Sequence, residues 1–188
     1  MPEKNINSTT MLPAALRPTP DESGMTVPQL LEHRINALFE QIPLVAELGE
    51  AFAQAGHDLY LVGGSVRDAL MGRLGHDLDF TTDARPDDTE AILRQHTHAT
   101  WDIGRAFGTI GAQIDDWVVE VTTYRADAYH PDSRKPEIVY GETLKDDLIR
   151  RDFTVNAMAL HAATRTFSDP YAGLTDIVSG ILLSLIHI

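Results

Sequence analysis

The stretch LVGGSVRDALMGRLGHDLDF, Leu61 to Phe80, decides how the chain is read. It divides into an apolar run, a glycine pair, a short amphipathic segment and a second apolar run carrying alternate acids. Leu59, Leu61 and Val62 suit a buried strand, and Gly63-Gly64 then lets the backbone turn sharply without a Cβ clash. Ser65 is the expected N-cap of a helix in which Val66, Ala69 and Leu70 share one face. Gly72 supplies a left-handed stop. A glycine turn feeding a helix N-terminus leaves backbone N–H groups free under a partial positive charge, which suits a phosphate. Arg67 adds a forked donor beside that pole.

The second half of the stretch supplies acids. In a strand, Asp77 and Asp79 project from one face while Leu78 and Phe80 point into a core. Two residues of rise place the carboxylates about 6–7 Å apart, and at an effective dielectric near 20 their repulsion is on the order of 2 kcal/mol. A divalent cation between them reverses the sign of that interaction. Mg²⁺ is the natural candidate, because it prefers oxygen ligands and commonly combines one or two carboxylates with substrate phosphates.

In this order and spacing, LVGGSVRDALMGR followed by HDLDFTTDA resembles the first motif of the nucleotidyltransferase superfamily, in its class II branch of CCA-adding enzymes and bacterial poly(A) polymerases. Other segments extend the resemblance. DIGRAFGTI, Asp102 to Ile110, and VVEVTTYR, Val118 to Arg125, resemble the strands leading to the family's third acidic residue, which makes Glu120 the third carboxylate. From residue patterning alone, a solvent-facing hairpin position is the favoured reading of an acid in this strand, and the resemblance decides for the carboxylate. RRDFTVNA, Arg150 to Ala157, resembles the second motif. By that resemblance Arg151 contacts the incoming nucleotide, and Asp152 and Asn156 serve its ribose, where acceptor and donor chemistry suits hydroxyls. Gly63, Gly64, Ser65 and Arg67 then hold the triphosphate. DPYAGLTDI, Asp169 to Ile177, resembles the turn that closes the catalytic head, with Ala172 standing where the family usually has a glycine.

The resemblance spans about Leu44 to Gly180. It implies an α+β, polymerase-beta-like nucleotidyltransferase head with a small mixed sheet and helices on one side. It also implies two Mg²⁺ ions held by Asp77 and Asp79, CTP and ATP as substrates, and the 3′ end of tRNA as acceptor. The reaction so implied is template-independent addition of CMP and AMP to tRNA. A poly(A) polymerase adding AMP to RNA 3′ ends shares every residue named, and a non-catalytic nucleotide-binding module is the reading of another class. The family's base-reading neck, body and tail are absent from these residues, so the fragment by itself is expected to be impaired.

Composition sets the outer bounds. The chain has 188 residues, 43% of them hydrophobic, ordinary for a water-soluble domain with a core. It has no cysteine, which removes disulfides, zinc–thiolate sites and thiol catalysis. No run reaches membrane-spanning length and MPEKNINSTT lacks an apolar signal segment, so the cytoplasm is the expected compartment. A net charge of −13 opposes RNA binding by this chain alone, since phosphate contacts need basic surface. The basic surface for tRNA is therefore expected in a longer protein.

Along the chain, residues 1–25 mix Pro, Ser, Thr and Asn without periodicity and are expected to lack order. Residues 26–56 carry two helical patterns, one with Leu30, Leu31, Ile35 and Leu38, the other starting after Pro43 with Val45, Leu48, Ala51 and Phe52. The head occupies 57–180. Within it, Pro86 to about His96 reads as a helix capped by Asp83. Trp101–Ile103, Phe107–Ile114 and Trp117–Tyr124 read as strands, and Arg125–Gly141 as a long loop whose length suits function. Thr143–Arg151 reads as a capped helix, and Met158–His161 with Thr166–Phe167 as a hairpin. His96 and His98 lack helical ligand spacing and thiolate partners, so no metal role is expected of them. Residues 181–188 are expected to be a non-native tail, because Leu183–Ile188 matches a translated sequencing-library transposon end.

Overall fold

The computed structural model describes residues 18–73, 75–126 and 139–186. Two helices open the fold. In α1 (Val27–Gln41) the Gln29 side chain accepts from the Thr26 backbone N–H at 2.9 Å, and Pro28 takes a first-turn position that needs no donor. Helix α2 (Leu44–Gln54) follows Pro43, and the chain leaves it through Gly56. Leu38, Val45, Leu48 and Phe52 enter the main core.

A seven-stranded mixed sheet holds the site, in the order β3-β4-β5-β2-β1-β8-β9. Its strands are β1 (Leu59–Val62), β2 (Asp77–Thr82), β3 (Thr100–Trp101), β4 (Thr109–Ile114), β5 (Trp117–Thr123), β8 (Ala159–His161) and β9 (Phe167–Ser168). Strands β2 and β5 pair in parallel and every other pairing in this sheet is antiparallel. A parallel pair needs a crossover. Here it runs through α4 (Pro86–Leu93) and the β3–β4 hairpin. Helix α3 (Gly63–Leu70) joins β1 to β2, a two-stranded ribbon pairs β6 (Arg125–Ala126) with β7 (Val139–Tyr140), and α5 (Leu144–Ile149) and α6 (Gly173–Ser179) complete the elements.

Alternation divides the sheet into two faces. Leu59, Leu61, Leu78, Phe80, Val119, Val121 and Leu160 pack with residues of α1, α2, α3 and α4 in one core. The other face carries Asp77, Asp79 and Glu120, all exposed. At its β1–β8 corner, Leu148 of α5 packs on Val62 and Ala159. The α+β class and mixed sheet agree with expectation.

Several boundaries differ from the sequence reading, each for a local reason. The N-cap of α3 is Val62, not Ser65, because the helix begins within the glycine turn. The N-cap of α4 is Arg85, and the helix stops at Leu93. Asp83 instead accepts from the Asp58 backbone N–H at 2.9 Å, bracing the β1–β2 edge. Strand β3 ends at Trp101, and β4 starts at Thr109 because Arg105–Phe107 form a 3₁₀ turn. In the N-terminal segment expected to lack order, residues 1–17 lie outside the described residues, whereas Pro20–Glu22 form a 3₁₀ turn with Glu22 buried. Glu22 pairs there with Arg34, whose Nη1 donates to the Leu70 carbonyl at 2.6 Å. Of the expected long loop, 127–138 fall outside the described residues. Among the described residues no helix is long and apolar enough to cross a membrane.

Candidate functional site

The acids meet because of strand register. In the parallel β2–β5 pair Asp79 is the partner of Glu120, and Asp77 that of Val118. Paired residues project from the same face, so Asp77, Asp79 and Glu120 form one acidic group. None of the three carboxylates has a hydrogen-bond or ion-pair partner among the described residues. The Asp79 carboxyl lies above the usual carboxylate range. Burial among the site's walls is the main cause, Asp77 adds to it, and the Arg151 charge opposes it.

Ser65 has a different task from the expected cap. Its hydroxyl donates to the Asp77 carbonyl at 3.2 Å and accepts from the Asp79 N–H at 3.1 Å. The first turn of α3 is thereby fastened to β2 between the two acids. Gly63 takes φ +67°, and a Cβ there would lie 2.9 Å from Arg151 Nη1. Only a glycine combines that backbone with that close approach. The Arg151 guanidinium thus lies close against the turn, and its charge acts on Asp79.

The remaining residues are chained together. Arg67 grips Asp68 through Nε and Nη2 at 2.9 and 3.1 Å, and its Nη1 donates to Asn156 Oδ1 at 2.6 Å. Asn156 Nδ2 in turn donates to Asp152 Oδ1 at 3.2 Å. All ten site residues expected from sequence therefore lie around the β1–β2–β5 part of one sheet face. Sequence reasoning missed Asp147, which is 3% exposed and accepts from Arg151 Nη2 at 3.0 Å. The signal was an acid four residues before an arginine in a helical stretch. It also missed Asp68, the residue that holds Arg67. The expected tail touches this region, since Leu183 and Leu185 exchange backbone hydrogen bonds with Thr154 and Asp152.

The side chains that could take a cation are Asp77 and Asp79, two residues apart on β2. Unpartnered carboxylates with one pushed toward neutrality are what a divalent ion would relieve. Among the described residues no three His, Cys, Asp or Glu side chains are gathered so that together they could hold a metal ion, which leaves the aspartate pair. A hard cation that keeps waters and borrows phosphate oxygens, as Mg²⁺ does, fits this open donor set better than one needing a complete protein cage. His96 and His98 belong to no such group.

The chain is similar to known proteins in sequence and in fold. The chain is 48% identical over 112 residues to the CCA-adding enzyme of Staphylococcus haemolyticus, covering 59% of this chain and 27% of that protein. The CCA-adding enzyme of Bacillus stearothermophilus, solved in complex with CTP, superposes with a TM-score of 0.65 at 33% identity, over 77% of this chain and 33% of that one. A tRNA nucleotidyltransferase solved with a primer tRNA and an incoming ATP analog gives a TM-score of 0.55 at 31% identity, over 69% and 36%. The chain thus spans about a third of the length of the proteins it matches. The model of the poly A polymerase head domain matches residues 59–183, and by that match, which takes in every site residue described above, the chain belongs to the poly A polymerase head domain family.

Proposed function

We propose that this chain is the catalytic head of a CCA-adding enzyme, which transfers CMP and AMP from CTP and ATP to the 3′ end of tRNA. The observation that carries the proposal is the pairing of Asp79 with Glu120 directly beside the Gly63–Arg67 turn. The names of the relatives, CCA-adding enzymes and a tRNA nucleotidyltransferase, support CCA addition over poly(A) synthesis.

Asp77 and Asp79 would hold two Mg²⁺ ions, which when bound activate the attacking 3′-hydroxyl and neutralise charge on the leaving pyrophosphate. Gly63 and Gly64 allow the triphosphate to approach the α3 N-terminus closely, and Ser65 keeps that turn in register with both acids. Arg67 and Arg151 present cationic forks to the phosphates, each fixed by an aspartate, Asp68 or Asp147. Asp152 and Asn156 face the ribose hydroxyls. Glu120 takes up the proton of the hydroxyl poised beside Asp79. Positioning and charge neutralisation supply the catalysis, as in phosphoryl transfer generally.

Purified chain incubated with Mg²⁺, tRNA and labelled CTP or ATP tests this. Weak incorporation of label, abolished in Asp77→Ala and Asp79→Ala while the circular dichroism spectrum is kept, is the expected result. Equal incorporation by either variant rules out the carboxylate assignment. Nucleotide binding without incorporation reduces the chain to a binding module.

A further inference from the structure

Four residues form one row across the sheet. Trp101 pairs with Gly111, Gly111 with Glu120, and Glu120 with Asp79. Partners in neighbouring strands share a face, so Trp101 stands on the face that carries the acids. The position of its ring agrees independently. A Cβ built on Gly111 would fall 2.1, 2.2 and 2.6 Å from Nε1, Cε2 and Cζ2 of Trp101. The indole therefore lies over the bare backbone of Gly111, in the space a side chain would fill.

Strands are about 4.8 Å apart, which places the ring about one strand from Glu120 and about 10 Å from Asp79. That separation is close to the reach of one nucleoside from its 3′-oxygen to the far edge of its base. Trp101 is only half-buried, so part of the ring stays open. The segment after it is anchored by Arg105, which pairs with Asp87 and Glu90 of α4.

The sidedness of the site selects the occupant. The glycine turn leaves β1, and Arg151, Asp152 and Asn156 precede β8, so all the nucleotide-binding groups lie on the β1–β8 side of Asp79. In a displacement at phosphorus the entering and leaving oxygens are roughly in line on opposite sides. With the triphosphate toward β1, the attacking hydroxyl comes from the β5 side, past Glu120. Trp101 lies beyond Glu120 on that side. We infer that the Trp101 indole, seated over Gly111, is the stacking platform for the 3′-terminal base of the acceptor RNA. The inference rests on the nucleotidyl-transfer reading. Stacking on an aromatic face is sequence-tolerant, which suits an acceptor whose last base changes as nucleotides are added.

The chain has two tryptophans, so Trp117→Phe leaves Trp101 as the sole indole reporter. In that background, with Mg²⁺ and CTP present, a ribotrinucleotide ending in cytidine is expected to quench the fluorescence. Anisotropy of a labelled trinucleotide is expected to show affinity falling about 10-fold or more in Trp101→Ala, with CTP affinity unchanged and Trp101→Tyr restoring most of the loss. Gly111→Ala keeps the indole but evicts it from its seat, and is expected to weaken trinucleotide binding as Trp101→Ala does. Unchanged trinucleotide affinity in Trp101→Ala overturns the inference. So does quenching by CTP alone with reduced CTP affinity in Trp101→Ala, which would give the ring to the incoming nucleotide. Wild-type chain that binds CTP but shows no trinucleotide-dependent quenching removes the platform alone. Wild-type chain that binds no CTP removes the nucleotidyl-transfer reading and the platform with it.

Discussion

Replacing Asp79 by asparagine should make the metal-free protein more stable while removing its response to magnesium. Asp77 and Asp79 are two residues apart on one strand, about 6–7 Å. Their repulsion is about 0.6 kcal/mol if water screens them fully and about 2.5 kcal/mol at an effective dielectric of 20. Asp79 is open to solvent on one side yet its carboxyl is raised by burial, so the value belongs between these limits. For a chain of this length each kcal/mol moves the melting temperature by roughly 2–4 °C. Asp79→Asn in EDTA should therefore melt about 2–8 °C above wild type at pH 7.5. The loss of the favourable Arg151–Asp79 attraction trims the gain toward the lower end.

Magnesium should reverse the order. An ion bound only by the folded state at a hundredfold its dissociation constant adds about 2.7 kcal/mol, and the variant, with one charge fewer at the site, should gain little. Acid gives a second readout with a definite sign. A carboxyl whose folded pKa lies above its unfolded value binds its proton more readily when folded. The Asp79 penalty is thus present above that raised pKa and fades as pH falls through it. The advantage of the variant in EDTA should shrink as the pH falls from neutral toward the ordinary carboxylate range. Differential scanning fluorimetry with and without Mg²⁺ makes all three measurements. A variant that melts below wild type in EDTA, or that gains as much from Mg²⁺, would refute the claim that this acidic pair is held together against its own charge.

Three further outcomes follow from residues away from the acids. Glu22 has its carboxyl depressed to about 2 from 4.5, chiefly by its hydrogen bonds with Arg34. The corresponding stabilisation is at most about 3 kcal/mol. That stability is complete above pH 4.5 and is lost as pH falls toward 2, so the melting difference between wild type and Glu22→Gln should narrow over that interval. A constant difference would contradict the linkage. Ala172 holds φ +58° at the N-cap of α6, so Ala172→Gly should stabilise the chain by about 1 kcal/mol in urea titrations; destabilisation would show that the left-handed geometry carries no cost. Gly63→Ala should cost about 1–2 kcal/mol in backbone strain and push Arg151 aside, weakening CTP binding several-fold by calorimetry. Unaltered CTP affinity would separate Arg151 from the nucleotide.

What the sequence disclosed depends on how far apart the cooperating residues are. The Asp77–Asp79 face, the left-handed Gly72 and the Thr143 cap are local consequences of alternation, φ preference and side-chain reach, and each could be read within a few residues. Glu120 needed a comparison with relatives, because nothing in VVEV says which strand it will lie beside. Ser65 shows the limit of local rules. A serine after a glycine pair is a plausible cap, yet once β2 lies alongside, its hydroxyl satisfies one acceptor and one donor of that strand instead. Asp83 behaves the same way, leaving α4 uncapped to satisfy the Asp58 N–H across the β1–β2 edge. The Glu22–Arg34 pair was hidden because it joins a non-periodic segment to the buried side of a helix. In each case a short polar side chain had two possible partners, one local and one across the sheet. An unmet backbone group on a strand is costlier to leave than one at a solvated helix end, so the sheet took it. The same preference ties up the supports of the site among themselves. Its positioning side chains, Ser65, Asp147 and Asn156, are already committed, while Asp77, Asp79 and Glu120 are left without partners among the described residues. A surface that satisfies its supports and withholds partners from three acids gains stability when something positive joins them.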